Sequence, residues 1–320
     1  MSSAVFLDAA TLGDDVDLSA LATLCKHFES YQATADHEVL ARCEHVSAVF
    51  TNKVRFDAAT LRALPSLRYI GLTATGTDIV DLRAAADAGI AVSNITAYCT
   101  QSVVQHVFAV LLQLTHRLPD YIADVRAGRW SDSSAFCLLD HPIRELAGLT
   151  MVIVGYGELG RAVAQVAGAF GMRVLITRRN QEDTRTDRVA LTDALAQADV
   201  VSLHCPLNDS TRQMINAQTL ALMKSDCVLI NTARGGLIDS HALLEALQSG
   251  ALAGAALDVL DIEPPPAEHP LLTQSLPNLI ITPHIAWAAR EARQRAIQQT
   301  ADHYAAFLAG QSINRVESAI

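Results

Sequence analysis

Short apolar runs alternate with helical patterns along most of the chain. Four runs read as strands in the first hundred residues: 4–7, 46–50, 69–72 and 90–93. Helical spacing lies between them, at 57–64 and 79–88. The segment 103–114 is apolar on nearly every face, broken by Gln105 and His106, and reads as a long buried helix. Residues 119–148 read as a loop-rich stretch. The alternation then resumes, with strands predicted at 151–154, 173–177, 200–204, 228–231, 254–257 and 279–282. Helices are predicted at 159–170, 193–197, 241–249 and 290–308. Strands separated by helices predict an α/β fold with parallel sheets.

Length and charge narrow the picture. A chain of 320 residues suggests about two domains. Its 24 Lys+Arg against 34 Asp+Glu give a net charge of −10, which repels nucleic acid and anionic membranes at long range. No nucleic-acid or membrane partner is expected. The polar first half of 88–116 and the short apolar part argue against a membrane span. The first ten residues lack a basic n-region, so no signal peptide is expected. The six cysteines form no C-x-x-C pair, which predicts reduced cytoplasmic thiols and no metal site.

The first motif with chemistry in it runs from Gly155 through Tyr156, Gly157, Glu158 and Leu159 to Gly160, between a predicted strand and a helix. Gly155 permits the turn, Gly157 lets a pyrophosphate approach the backbone, and Gly160 lets helix and strand pack closely. The helix N-terminus then offers free N–H groups to the anion. These features predict a Rossmann-type, doubly wound dinucleotide domain. In NAD-binding folds an acid about 20 residues on accepts from the ribose 2′-OH. Here the second strand ends Thr177-Arg178-Arg179. An arginine fork suits a phosphate monoester. The expected cofactor is therefore NADP(H), with NAD(H) the alternative.

Three later segments place polar residues at predicted strand ends. They are residues 231–239 with Arg234, 256–264 with Asp258 and Glu263, and 282–288 with His284 and Trp287. In doubly wound sheets that edge is where ligands bind. Together with the glycine motif, these segments resemble the D-isomer-specific 2-hydroxyacid dehydrogenase family, over residues 46–308. The nearest subgroup resembles the glycerate dehydrogenases and hydroxypyruvate–glyoxylate reductases, on Asn52-Lys53 and on residues 283–288.

The resemblance implies an NAD(P)-dependent oxidoreductase that reduces a small anionic 2-keto acid. Hydroxypyruvate or glyoxylate would give D-glycerate or glycolate. A dinucleotide sensor or corepressor with little turnover is the alternative. His284 would be the general acid–base, oriented by Glu263, and Arg234 would bind the substrate carboxylate. Ala74, Thr75 and Gly76 would offer it a backbone nest, with Asn52, Lys53 and Trp287 as further substrate contacts. Thr100, His204, Cys205, Pro206, Thr232, Ala233 and Asp258 would touch the cofactor. Gln105 stands where the family commonly has a Glu, so the ion pair of that Glu is not expected. The resemblance also implies a smaller flavodoxin-like α/β substrate domain, residues 1–99 and 288–320, around a cofactor domain at 100–287. A homodimer is expected on the same ground.

Overall fold

The computed structural model describes residues 3–180, 182–311 and 316. Residues 1–2, 312–315 and 317–320 of the expected outer domain lie outside the described residues. The chain divides into two units, Met1–Cys99 with Trp287–Ile320, and Thr100–Ala286. Trp287 thus groups with the outer unit, where the sequence reading began that unit at 288. Its ring meets that of Tyr98 at 6.5 Å, which accounts for the one-residue difference.

The outer unit holds a parallel sheet of β1 (Ser3–Phe6), β2 (His27–Ser30), β3 (Ala48–Thr51), β4 (Tyr69–Leu72) and β5 (Ala91–Ser93). Their order is β2-β1-β3-β4-β5, the flavodoxin-like arrangement. Strand β2 was invisible to the pattern reading. It is an edge strand, exposed along most of its His-Phe-Glu-Ser sequence, and so carries no apolar run. The other strands alternate between two buried faces, as successive side chains must. Val5, Val49 and Ile70 pack in one cluster. Phe6, Phe50 and Tyr69 point the other way, against Ile297, Ala301 and Tyr304 of the helix Arg290–Leu308. The Tyr304 ring lies 5.1 Å from Phe50 and 5.0 Å from Tyr69. Gly71 makes room for this layer, since a Cβ there would stand 2.8 Å from the Phe50 ring.

The inner unit holds β6 (Thr150–Val154), β7 (Arg173–Ile176), β8 (Val200–Leu203), β9 (Val228–Asn231), β10 (Gly254–Leu257) and β11 (Leu279–Ile281). All are parallel, in the order β11-β10-β9-β8-β6-β7. A single bridge joins Thr177 to Val189 beyond β7. Counting Val189 as a third strand reduced to one residue gives 3-2-1-4-5-6-7, the usual Rossmann order 3-2-1-4-5-6 with one further strand, β11, at the edge. Strand order reverses around β6, and that is where a doubly wound sheet binds ligands. The apolar segment at 103–114 lies within the helix Thr100–His116, whose Val103, Val107 and Leu111 are buried. No helix among the described residues is long and apolar enough to cross a membrane. The loop expectation for 119–148 needs correction, because Leu118–Arg126 is a helix. Pro119 sits in the first turn of this helix, where proline loses no hydrogen bond.

Tyr304→Ala should empty the centre of the aromatic layer and cost about 3–5 kcal/mol. Chemical denaturation measures this, and an unchanged midpoint would contradict the packing described.

Candidate active site

The loops that follow the inner strands carry the predicted chemistry. Gly155 has φ +94° and sits directly on the end of β8, so a Cβ would stand 2.6 Å from the Cys205 nitrogen. Gly160 is as confined, since its Cβ would lie 2.0 Å from the Gly155 oxygen. Gly157 differs, because the space beside it is open. It caps the helix Glu158–Ala169, whose first amides have no partner within the helix. Glu158 accepts a hydrogen bond from the Thr100 hydroxyl. Nearby, His204 Nδ1 and Thr232 Oγ1 are buried without hydrogen-bond partners. The other ring nitrogen of His204 meets Ser202 Oγ at 2.8 Å. An open cradle at Gly157 beside two orphaned polar atoms fits a polar dinucleotide.

The catalytic candidates are brought together by backbone contact. Gly235 follows Arg234, and a Cβ there would lie 1.9 Å from the Leu260 carbonyl carbon. Only glycine lets the Arg234 loop rest on the Leu260-Asp261 backbone. Buried Asn231 clamps the same loop, accepting from the Ala233 amide at 3.0 Å and donating to the Arg234 carbonyl at 2.9 Å. Arg234 itself is exposed and donates to the Ala233 carbonyl at 2.7 Å. Two residues beyond Asp261, Glu263 binds the Leu260 amide with Oε1 at 3.0 Å. Its Oε2 meets His284 Nδ1 at 2.6 Å. That pair fixes the ring and assigns Nδ1 to the carboxylate.

His284 has φ +55°, a conformation that non-glycine residues rarely adopt. The cause is Asp258, only 2% exposed. Its carboxylate accepts from the Ile285 and Ala286 amides, both at 2.8 Å, and from Thr282 Oγ1 at 2.5 Å. His106 Nε2 stands 3.1 Å from that hydroxyl, reaching it from the helix Thr100–His116. Asp258 therefore has a structural task besides the cofactor contact expected of it. Thr282 and His106 were missed by the sequence reading; Thr282 adjoins the Pro-His motif, which was the available signal. Gln105 is exposed.

At the end of β7, Arg178 and Arg179 are exposed and Thr177 is buried. The nearest well-held acid is Asp183, gripped by Arg185 at 2.7 and 2.6 Å and by the Arg179 amide at 3.0 Å. The Arg185 guanidinium holds the Asp183 carboxyl well below the usual range. Arg188, which the sequence reading passed over in a charge-rich loop, lies over the Tyr156 ring at 4.5 Å.

In the outer unit, Asp8 was also missed. Its buried carboxylate accepts from the Asn52 amide at 2.9 Å and the Lys53 amide at 2.6 Å, shaping that loop. Burial raises the Asp8 carboxyl, against these amides, which lower it. Ala74, Thr75 and Gly76 follow β4, where Asn94 and Ile95 bind the Thr75 and Ala74 carbonyls at 2.7 and 3.2 Å. Trp287 packs with Tyr98, Ile95 and Ala292.

Comparison with known proteins identifies the family. Residues 108–286 match the family described as D-isomer specific 2-hydroxyacid dehydrogenase, NAD binding domain. The chain is 43% identical to a glycerate dehydrogenase of Methylorubrum extorquens, over 91% of this chain and 92% of that one. It is 37% identical to a hydroxypyruvate reductase of Blautia hydrogenotrophica, over 98% of each. Among solved structures, the TT0316 protein of Thermus thermophilus superposes with TM-score 0.86 at 35% identity, over 98% of this chain and 99% of that one. An acyclic imino acid reductase in complex with NADPH and D-Arg superposes with TM-score 0.84 at 26% identity, over 98% and 99%. The chain belongs to the D-isomer-specific 2-hydroxyacid dehydrogenase family. It is an oxidoreductase of small 2-hydroxy acids that uses a nicotinamide dinucleotide.

Burial pushes His204 down from 6.5 to about 4. The unfolded chain takes up this proton near 6.5 and the folded chain only near 4. Stability is therefore greatest above that window and falls as the pH drops through it. The apparent melting temperature should decline from pH 6.5 towards 4, and His204→Gln should flatten the slope. An equal slope in the variant would remove His204 as its source.

Proposed function

We propose that the chain reduces hydroxypyruvate or glyoxylate, giving D-glycerate or glycolate, with NADP(H) as the preferred cofactor. The observation that carries this is the 2.6 Å pair of His284 and Glu263, on loops docked beside Arg234. The names of the relatives support the substrate, and the NADPH-bound neighbour and the arginines after β7 support the cofactor.

The dinucleotide, when bound, supplies a hydride to the substrate's C2. Residues 155–160, Thr100, Thr177, Arg178, Arg179, residues 204–206, Thr232, Ala233 and Asp258 would hold it. Glu263 keeps Nδ1 of His284 engaged, so Nε2 is the nitrogen assigned to the substrate. From Nε2 a proton goes to the C2 oxygen during reduction and returns in the reverse reaction. Arg234 grips the carboxylate and polarises the carbonyl with a permanent charge. The amides of Ala74, Thr75 and Gly76, which form no hydrogen bonds among the described residues, would offer a carboxylate a backbone nest. Asn52, Lys53 and Trp287 would select the side chain.

We also propose a homodimer. Leu118, Ile122, Val125, Trp130, Phe136 and Leu139 are all exposed in one stretch of the inner unit, and Phe136 is 91% exposed. Apolar exposure on this scale marks an interface. Six free cysteines favour a reducing compartment, the cytoplasm.

His284→Ala should lose about 10²–10⁴-fold in kcat while still binding NADPH. Wild type should oxidise NADPH with hydroxypyruvate faster than NADH. A fully active His284→Ala overturns the acid–base role, an NADH preference overturns the cofactor choice, and no turnover with any 2-keto acid favours a sensor. Light scattering should give a dimer mass, and Phe136→Asp with Leu139→Asp should halve it. A monomeric wild type would refute the interface.

A further inference from the structure

We infer that Arg188 is a specificity-determining residue for the 2′-phosphate of the cofactor, held ready on the ring of Tyr156. The inference rests on the NADP(H) reading above and assigns it a residue that the strand-end arginines do not include.

Arg188 is fixed to both halves of the dinucleotide site. The next residue, Val189, donates to the Ile176 carbonyl at 2.9 Å and accepts from the Arg178 amide at 2.8 Å. Arg188 is therefore tied to the end of β7, where the ribose 2′ substituent is read. Its guanidinium carbon lies 4.5 Å from the centroid of Tyr156, which stands between Gly155 and Gly157. The side chain thus links the strand end to the glycine turn.

Its hydrogen bonding is incomplete. The side chain is 7% exposed, and Nε and Nη1 are buried with no hydrogen-bond partner. Among the described residues its one ion-pair contact is Asp187, 3.5 Å from Nη1 and 65% exposed. A hydrated carboxylate at that distance compensates a buried cation poorly. The Tyr156 face stabilises the charge and orients the planar fork, but accepts no N–H in the plane. A phosphate monoester supplies what is lacking, namely two negative charges and several acceptor oxygens suited to a fork.

Two other anions fit less well. The pyrophosphate already has the Gly157 cradle and the amides of the helix Glu158–Ala169. The chain's own carboxylates serve poorly, because Asp187 is hydrated at 3.5 Å and Asp183 is taken by Arg185. Arg178 and Arg179 are exposed and so lose more freedom on binding than a fork already stacked and buried.

The test is calorimetric titration of wild type, Arg188→Met and Arg188→Lys with 2′-phospho-ADP-ribose and with ADP-ribose, which need no turnover. Wild type should favour the phosphorylated probe. Arg188→Met should lose about tenfold or more of that probe's affinity and about twofold or less of the other's. Arg188→Lys, which keeps charge without the fork, should fall between. Removing an uncompensated buried cation should leave the ligand-free melting temperature of Arg188→Met equal to wild type or higher. If Arg188→Met keeps the wild-type preference, or weakens both probes alike, the assignment to Arg188 fails while the cofactor reading stands. A lower melting temperature in both variants would make the residue structural and also overturn it. If wild type itself binds ADP-ribose as tightly as the phosphorylated probe, the NADP(H) reading fails, and this inference with it.

Discussion

The buried carboxylate of Asp258 governs the geometry of the proposed catalytic edge. It sits just beyond β10 and accepts two consecutive amides and a threonine hydroxyl from the loop after β11. Those bonds hold His284 in a left-handed conformation that a histidine would not keep alone. The imidazole is then presented to Glu263, whose other oxygen is anchored on the Leu260 amide. Position and orientation of this proposed acid–base thus follow from carboxylates bound to backbone. His106 extends this network into the helix Thr100–His116 through Thr282.

Close backbone approach is the second constraint, and glycine supplies it at named points. Gly155 and Gly160 let turn, helix and the end of β8 share one small volume, and Gly235 does the same for the Arg234 and Glu263 loops. A methyl group at any of these three glycines would overlap backbone atoms that cannot rotate away. Gly157 has a different reason to be glycine: the space beside it is open and suited to a ligand.

Charge is arranged locally against the overall balance. A chain with net charge −10 gathers Arg178, Arg179 and Arg188 around the end of β7 and sets Arg234 beyond β9. Asp183 nearby is neutralised within the chain by Arg185. The acidic total describes the solvated surface, while the proposed ligand-binding edge carries a local group of cations.

Much of this was legible in the sequence by itself. Alternating apolar runs and helical spacing determined the α/β class, because burial on both faces demands continuous hydrophobic strands. The glycine motif and the Arg, Glu and His segments marked the candidate dinucleotide-binding and catalytic residues, because close approach and proton transfer admit few residue types. Tertiary structure alone decided which supports hold them. Asp8, Asn231, His106 and Arg188 act on partners that are distant in sequence or hidden in polar loops, so no periodicity reveals them. The edge strand β2 escaped for a related reason: it is held by main-chain pairing with β1, and main-chain hydrogen bonds leave no mark in side-chain pattern.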